Sequence, residues 1–119
     1  MTRFRDILRT AIDRIPGAIG GAFAARDGEI VDSVTRSDPF DWAILTAHYG
    51  VLLGHVQSAL STLHHGEAEL VVLSHARIDI VMRSVSEGYY ALVAIGHPAP
   101  LGMALEQLDR AVVRLRSEM

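Results

Sequence analysis

Cysteine is absent from the 119 residues. Its absence excludes a disulfide framework, a thiolate zinc site, a cysteine-held iron–sulfur cluster and a cysteine nucleophile. The N-terminus shows no apolar leader ahead of a small-residue cleavage site, because Met1 to Arg14 already reads as an amphipathic helix. The chain is therefore expected in the cytoplasm. Lysine is absent too, all eleven basic residues being Arg. No GxxxxGK[ST] loop occurs, so the chain is not itself a P-loop nucleotidase.

Charge is missing altogether from Trp42 through Gly66. That run is long enough to span a bilayer, but His48, His55, Gln57, Ser58, Ser61 and Thr62 make its second half too polar for one. The net charge of −3 is unevenly spread: four Arg against two Asp over residues 1–14, a balanced 106–119, and an acidic middle. A nucleic-acid binder would show a basic patch with interleaved aromatics, and this chain shows neither.

What is present is an ordinary globular composition, 50% apolar and 21% charged, sized for one domain over residues 1–119. Phe4, Ile7, Leu8, Ala11, Ile12 and Ile15 repeat at helical spacing, and Pro16-Gly17 ends that helix. Ala18 to Ala25 reads as a strand of small residues and Glu29 to Val34 as a second, with Asp27-Gly28 as a two-residue hairpin turn. Gly20-Gly21 inside the first strand predicts a bulge or the close approach of another element. Asp38 can cap a helix that has Pro39 at its first position and Asp41 near its positive end.

Three further strands are expected at Glu69 to Ser74, around Ile78 to Arg83, and at Tyr89 to Ile95, with Glu87-Gly88 turning the chain before the last. Leu101, Ala104, Leu105, Leu108, Ala111, Val112 and Leu115 form a final helical stripe. The order is α-β-β-α-β-β-β-α: an α+β domain with a five-stranded, mostly antiparallel sheet flanked by three helices.

On a helical wheel, Leu45, Tyr49, Leu52, Val56, Ala59, Leu60 and Leu63 share one side of the middle helix, which is expected to face the sheet. Opposite lies a stripe of small residues, Ala43, Ala47, Gly50, Gly54, Ser58 and Ser61, flanked by Ile44, Val51 and His55. Two mid-helix glycines cost about 1 kcal/mol each relative to Ala, so close approach of another backbone is expected to offset them. The terminal helices are one-sided, which points to an intermolecular contact.

The element order, together with Ile15-Pro16-Gly17-Ala18-Ile19-Gly20-Gly21-Ala22-Phe23-Ala24-Ala25-Arg26-Asp27-Gly28-Glu29-Ile30-Val31, resembles the roadblock family: dynein roadblock-type light chains and their bacterial MglB-like relatives. The resemblance covers nearly the whole chain. It implies a homodimer built from the middle helix and the following strand, giving one continuous sheet, and partnership with a small Ras-like GTPase. The dimer contact is then expected at Ile44, Ala47, Val51, Gly54, His55, Ser58 and at Leu70, Val71, Val72 and Leu73. GTPase docking is expected along Ala43, Ala47, Gly50, Gly54 and Ser58.

The residues give chemistry little support. His48 and His55 lie seven apart, about 10.5 Å along a helix, too far to share one ion. His64-His65 suits a helix end, where a cation meets the negative pole. Ser74, His75 and Asp79 suggest a triad, but neighbours on a strand point oppositely, so Ser74 and His75 cannot share a proton. No catalytic, cofactor or metal site is expected, and Arg36, just before the middle helix, is the best candidate among the arginines to be offered to a partner's phosphates. The leading expectation is a non-enzymatic GTPase regulator or scaffold. The rivals are a PAS- or profilin-like small-molecule sensor, which needs a cavity with convergent polar groups, and a purely structural dimerisation module.

Overall fold

A computed structural model describes residues 3–98 and 100–119; Met1 and Thr2 of the expected first helix lie outside the described residues. The elements are α1 (Arg3–Asp13), β1 (Ala18–Ala25), β2 (Ile30–Thr35), α2 (Pro39–Leu63), β3 (Leu70–Ser74), β4 (Ile78–Ser86), β5 (Tyr89–Gly96) and α3 (Leu101–Ser117). The order is the one expected. The strands form a single sheet in the order β2-β1-β5-β4-β3, and every pairing is antiparallel.

Each face of the sheet has its own core. Alternate residues of the central strands divide between them, as the two-residue strand period requires. Val81, Ala91, Val93 and Ile95 pack with Ile7, Leu8, Ile12, Leu108 and Leu115 of α1 and α3. Ile80, Met82, Tyr90, Leu92 and Ala94 pack with Trp42 and Leu53 of α2. A strand covered on both sides must be apolar throughout, which is why Tyr90 to Ile95 shows no polar alternation.

The glycine pair of β1 marks close approach on both faces. A Cβ on Gly20 would stand 2.8 Å from the Val34 carbonyl oxygen and 3.0 Å from the Trp42 ring, and one on Gly21 would meet the Ile12 side chain at 3.1 Å. The pairing of β1 with β5 is also irregular between Ala18 and Gly20.

The first hairpin differs in detail from expectation. Only Gly28 has a positive φ, of 92°; Gly28 N donates to Ala25 O and Ala25 N to Glu29 O, each at 2.9 Å. That is a type I turn closed by a left-handed glycine, a three-residue loop rather than a two-residue one, so β2 begins one position later than expected. Asp27 contributes through its side chain instead, accepting from Glu29 N at 2.9 Å.

α2 starts as its sequence indicates, with the Asp38 carboxylate accepting from Phe40 N at 2.8 Å and Asp41 N at 3.1 Å. It ends on His64, the one non-glycine residue with positive φ among those described (57°), whose N–H returns to Ser61 O while His65 N bonds Leu60 O. A left-handed β-carbon costs about 1–2 kcal/mol, less the extra chain entropy a glycine would lose. His64→Gly is therefore expected to raise stability by about 0.5–1 kcal/mol, read from the urea unfolding midpoint.

Candidate interaction surface

α2 is apolar on all sides, so specific contacts rather than amphipathic contrast set its rotation. Its buried arc is Trp42, Thr46, Gly50, Leu53 and Gln57. This corrects the expected sheet-facing row: Leu45, Tyr49, Val56 and Leu60 are only half-buried along one flank, and Leu52, Ala59 and Leu63 are exposed. At 100° per residue the helix is turned by roughly 90° from the wheel. Trp42 sits over Gly20, and the buried Tyr90 hydroxyl donates to Thr46 O at 3.1 Å. Gln57 grips the chain ahead of β3 twice, Nε2 donating to Ala68 O at 3.0 Å and Oε1 accepting from Ala68 N at 2.6 Å.

The rotation sorts the residues singled out from sequence. Ile44 and Val51 project outward, 42% and 56% exposed. Ala43, His55 and Ser58 are exposed as well. Ala47 and Gly54 are half-buried on the flank toward the β1–β2 hairpin, where Ala47 lies against Gly28. Gly50 is a correction: it belongs to the buried arc, against Tyr90, rather than to an exposed docking stripe. Phe40, 73% exposed, and Leu52 extend the apolar outer face and were missed. Phe40 was findable, standing one turn before Ile44.

β3 is an edge strand. Leu70 and Val72 are exposed, and Val71 and Leu73 are half-buried on the α2 side. An edge is normally blunted by charge, proline or a bulge. The other edge, β2, carries the buried Asp32 paired to Arg5 at 3.1 Å, whereas Leu70–Ser74 has no charged residue and pairs with β4 without a bulge. Three hydrogen bonds bracket β3 against α2: the pair between Gln57 and Ala68 ahead of it, and that from the Tyr49 hydroxyl to His75 Nε2 at 2.9 Å behind it. The outer face of α2 and the β3 edge are thereby held in fixed relation.

The polar cluster beyond β3 does not form a triad. Asp79 Oδ1 accepts from Ser74 Oγ at 2.7 Å and from His97 Nε2 at 2.8 Å, while His75 bonds Tyr49 instead. Both donors end on the carboxylate, so no imidazole stands ready to take the serine proton. Sequence reading missed His97 because it comes from the end of β5, eighteen residues beyond Asp79. Among the described residues no group of three or more His, Asp or Glu is placed to hold a metal ion.

The hydrogen bond from His97, then that from Ser74, holds the Asp79 carboxyl below its ordinary value of 3.8 despite burial, which acts the other way. A depressed folded value means the unfolded chain takes up the proton first. The stabilisation is whole above about pH 3.8 and is lost as pH falls through the folded value. Urea midpoints of wild type and Asp79→Asn should thus differ at about pH 5 and converge below pH 3.8. A gap that widens on acidification would contradict this assignment.

Neither a family model nor a curated protein sequence matches this chain. Solved structures do. Myxococcus xanthus MglB superposes with a TM-score of 0.88 at 13% identity, over 98% of this chain and 94% of that one. A Roadblock/LC7 domain from Streptomyces avermitilis gives 0.85 at 17%, over 94% and 93%. An MglB structure with a tetrameric arrangement gives 0.84 at 16%, over 94% and 84%.

The chain has a roadblock fold. Within this roadblock fold Arg36, at the β2–α2 junction, is held at home: Nη1 donates to Ala18 O at 3.2 Å and Nη2 to Asp13 Oδ1 at 3.0 Å. It ties the end of α1 to the start of β1. No described helix of this roadblock fold is long and apolar enough to cross a membrane.

Proposed function

We propose that this chain is a non-enzymatic homodimer that binds a small Ras-like GTPase and modulates its nucleotide cycle or scaffolds it. The observation that carries the reading is the pair of exposed apolar faces without Asp, Glu, Lys or Arg: Ile44, Val51 and Leu52 on the outer side of α2, and Leu70 and Val72 on the edge strand β3. Ile44, Val51, His55 and Ser58 supply the helical half of the dimer contact, with Ala47 and Gly54 on its flank, and Leu70, Val71, Val72 and Leu73 the strand half. Antiparallel pairing of two β3 edges would satisfy their free backbone groups and extend the sheet to both protomers. A stable contact needs about 800 Å² per protomer, a modest share of a 6536 Å² surface.

Gly54 supports this reading where Gly50 does not. A Cβ on Gly54 would meet nothing within 4 Å, so no contact inside the protomer offsets its helical cost. The GTPase rests on the paired α2 helices through Ala43, Ala47, Gly54 and Ser58. Likeness of fold to the MglB structures and the resemblance of the first helix and hairpin motivate that partner. The hydrogen bonds of Arg36 favour action through the GTPase's own switch elements over an inserted arginine.

The test is affinity capture from the native host with GDP or a non-hydrolysable GTP analogue present, using wild type and Ala43→Arg, a change at an exposed residue of the docking set outside the dimer contact. Wild type should retain a small GTPase in a nucleotide-dependent manner, and Ala43→Arg should retain about a tenth as much or less, while staying dimeric by light scattering. Absence of any GTPase from an intact dimer would leave a purely structural dimerisation module.

A further inference from the structure

The opposite face of the molecule carries a surface of different chemistry. α1 and α3 lie side by side there, and between them runs a cleft of about 470 Å³. Its floor includes Ala11 and Ala111, both buried, whose short side chains leave room above them. Val113, 64% exposed, stands along one wall. Three guanidiniums line the cleft, Arg14 from α1 and Arg110 and Arg114 from α3, and no carboxylate does.

This concentration is unusual in a chain of net charge −3 whose other surface arginines are mostly matched, Arg3 to Glu118, Arg36 to Asp13 and Arg83 to Asp109. Arg110 has Glu106 one turn away at 2.8 Å, but Arg14 and Arg114 have no ion-pair partner among the described residues.

We propose that this cleft docks an acidic amphipathic helix of a partner protein, with apolar side chains seated over Ala11 and Ala111 and carboxylates against Arg14 and Arg114. Two adjacent helices offer a third a groove into which its ridge of side chains fits. Arg110 and Arg114 are one turn apart, about 6 Å along α3, the spacing of carboxylates four residues apart on a docked helix. An anionic bilayer fits less well. The basic site is concave, and Asp13, Glu106 and Asp109 on the same two helices would repel a sheet of negative headgroups. The cleft lies across the sheet from α2, so this partner can be held together with the dimer mate and the GTPase, and the inference does not depend on either.

The experiment places the photocrosslinker p-benzoylphenylalanine at Val113 of the full chain in its native host and maps the crosslinked peptide by mass spectrometry. The expected adduct is a segment with apolar residues at three- and four-residue spacing flanked by Asp or Glu. Arg14→Glu with Arg114→Glu should lower its yield about tenfold. If circular dichroism shows that pair to be unfolded, Arg14→Gln with Arg114→Gln replaces it and should still lower the yield severalfold. The proposal is overturned if no protein adduct forms, if the adduct is a second copy of this chain or a segment without acidic residues, or if the yield ignores the arginines. Arginine-dependent flotation with phosphatidylglycerol vesicles, without a protein adduct, would assign the cleft to membranes and overturn it equally.

Discussion

Val51→Glu is expected to convert the proposed dimer into a monomer. Val51 is the midpoint of α2, which runs from Pro39 to Leu63, and its side chain projects outward, with Ile44 and His55 also exposed on either side of it. In a two-fold contact the residue nearest the axis meets its own counterpart. A glutamate there would place two carboxylates together in a seam that offers no Lys or Arg, since residues 42–66 contain neither. An unpaired buried charge costs about 3–5 kcal/mol, enough to weaken association by roughly two to four orders of magnitude.

Because Val51 is exposed in the protomer, the thermal unfolding of the subunit should be little changed once dissociation is allowed for. Light scattering at micromolar concentration gives the readout. Leu70→Lys with Val72→Lys, which charges the β3 edge, should act in the same direction. A dimer that survives both changes would place the contact elsewhere, with the α1–α3 face next to be tested.

Legibility followed the physics of each element. α1 and α3 are one-sided, so their apolar stripes gave both extent and orientation. The turns were readable because Asp27-Gly28 and Glu87-Gly88 fall at the chain reversals the structure contains, although the type of the first turn was not. β5, covered on both faces, showed itself as an unbroken apolar run, whereas β4, covered on both faces as well, is interrupted by Asp79 and Arg83 and did not. α2 revealed its ends, through Asp38 and Pro39 at one and the histidines at the other, but not its rotation.

The reason lies in what α2 buries. Gly50 and Gln57 are not hydrophobic, yet they face inward because each answers a particular neighbour: Tyr90, whose hydroxyl reaches Thr46 O beside Gly50, and the Ala68 backbone for Gln57. Thr46 is buried beside them, its own hydroxyl without a hydrogen-bond partner among the described residues. The larger Leu52 and Leu63 were left outside. Hydrophobic strength alone thus selected the wrong side of a helix that needs apolar surface on both, while the outward Ile44, Val51 and His55 were still named because they flank the stripe the wheel picked out.

Gly50 provides the sharpest test of that correction. Its Cβ, if it had one, would stand 2.5 Å from Tyr90 Oη and 3.3 Å from Cζ. Burial, with a smaller push from the charge of Asp27, raises the Tyr90 hydroxyl to about 12, so it remains a protonated donor to Thr46 O at neutral pH. Gly50→Ala should therefore lose about 1–3 kcal/mol to overpacking, although alanine in a helix is itself worth about 1 kcal/mol more than glycine. Tyr90→Phe alone should cost about 1 kcal/mol, the net value of one hydrogen bond.

Combined, the two changes should not add. Without the hydroxyl the 2.5 Å clash is gone and the ring Cζ at 3.3 Å needs to give by only a few tenths of an ångström, so Gly50→Ala in the Tyr90→Phe background is expected to be within about 1 kcal/mol of neutral, measured from urea midpoints. If Gly50 instead served a close contact between protomers, alanine would weaken the dimer whether or not Tyr90 kept its hydroxyl. A double-mutant cycle run beside a dimer dissociation constant separates the two. Coupling in stability with association unchanged assigns Gly50 to the α2–β5 packing, and loss of association without coupling returns it to the interface.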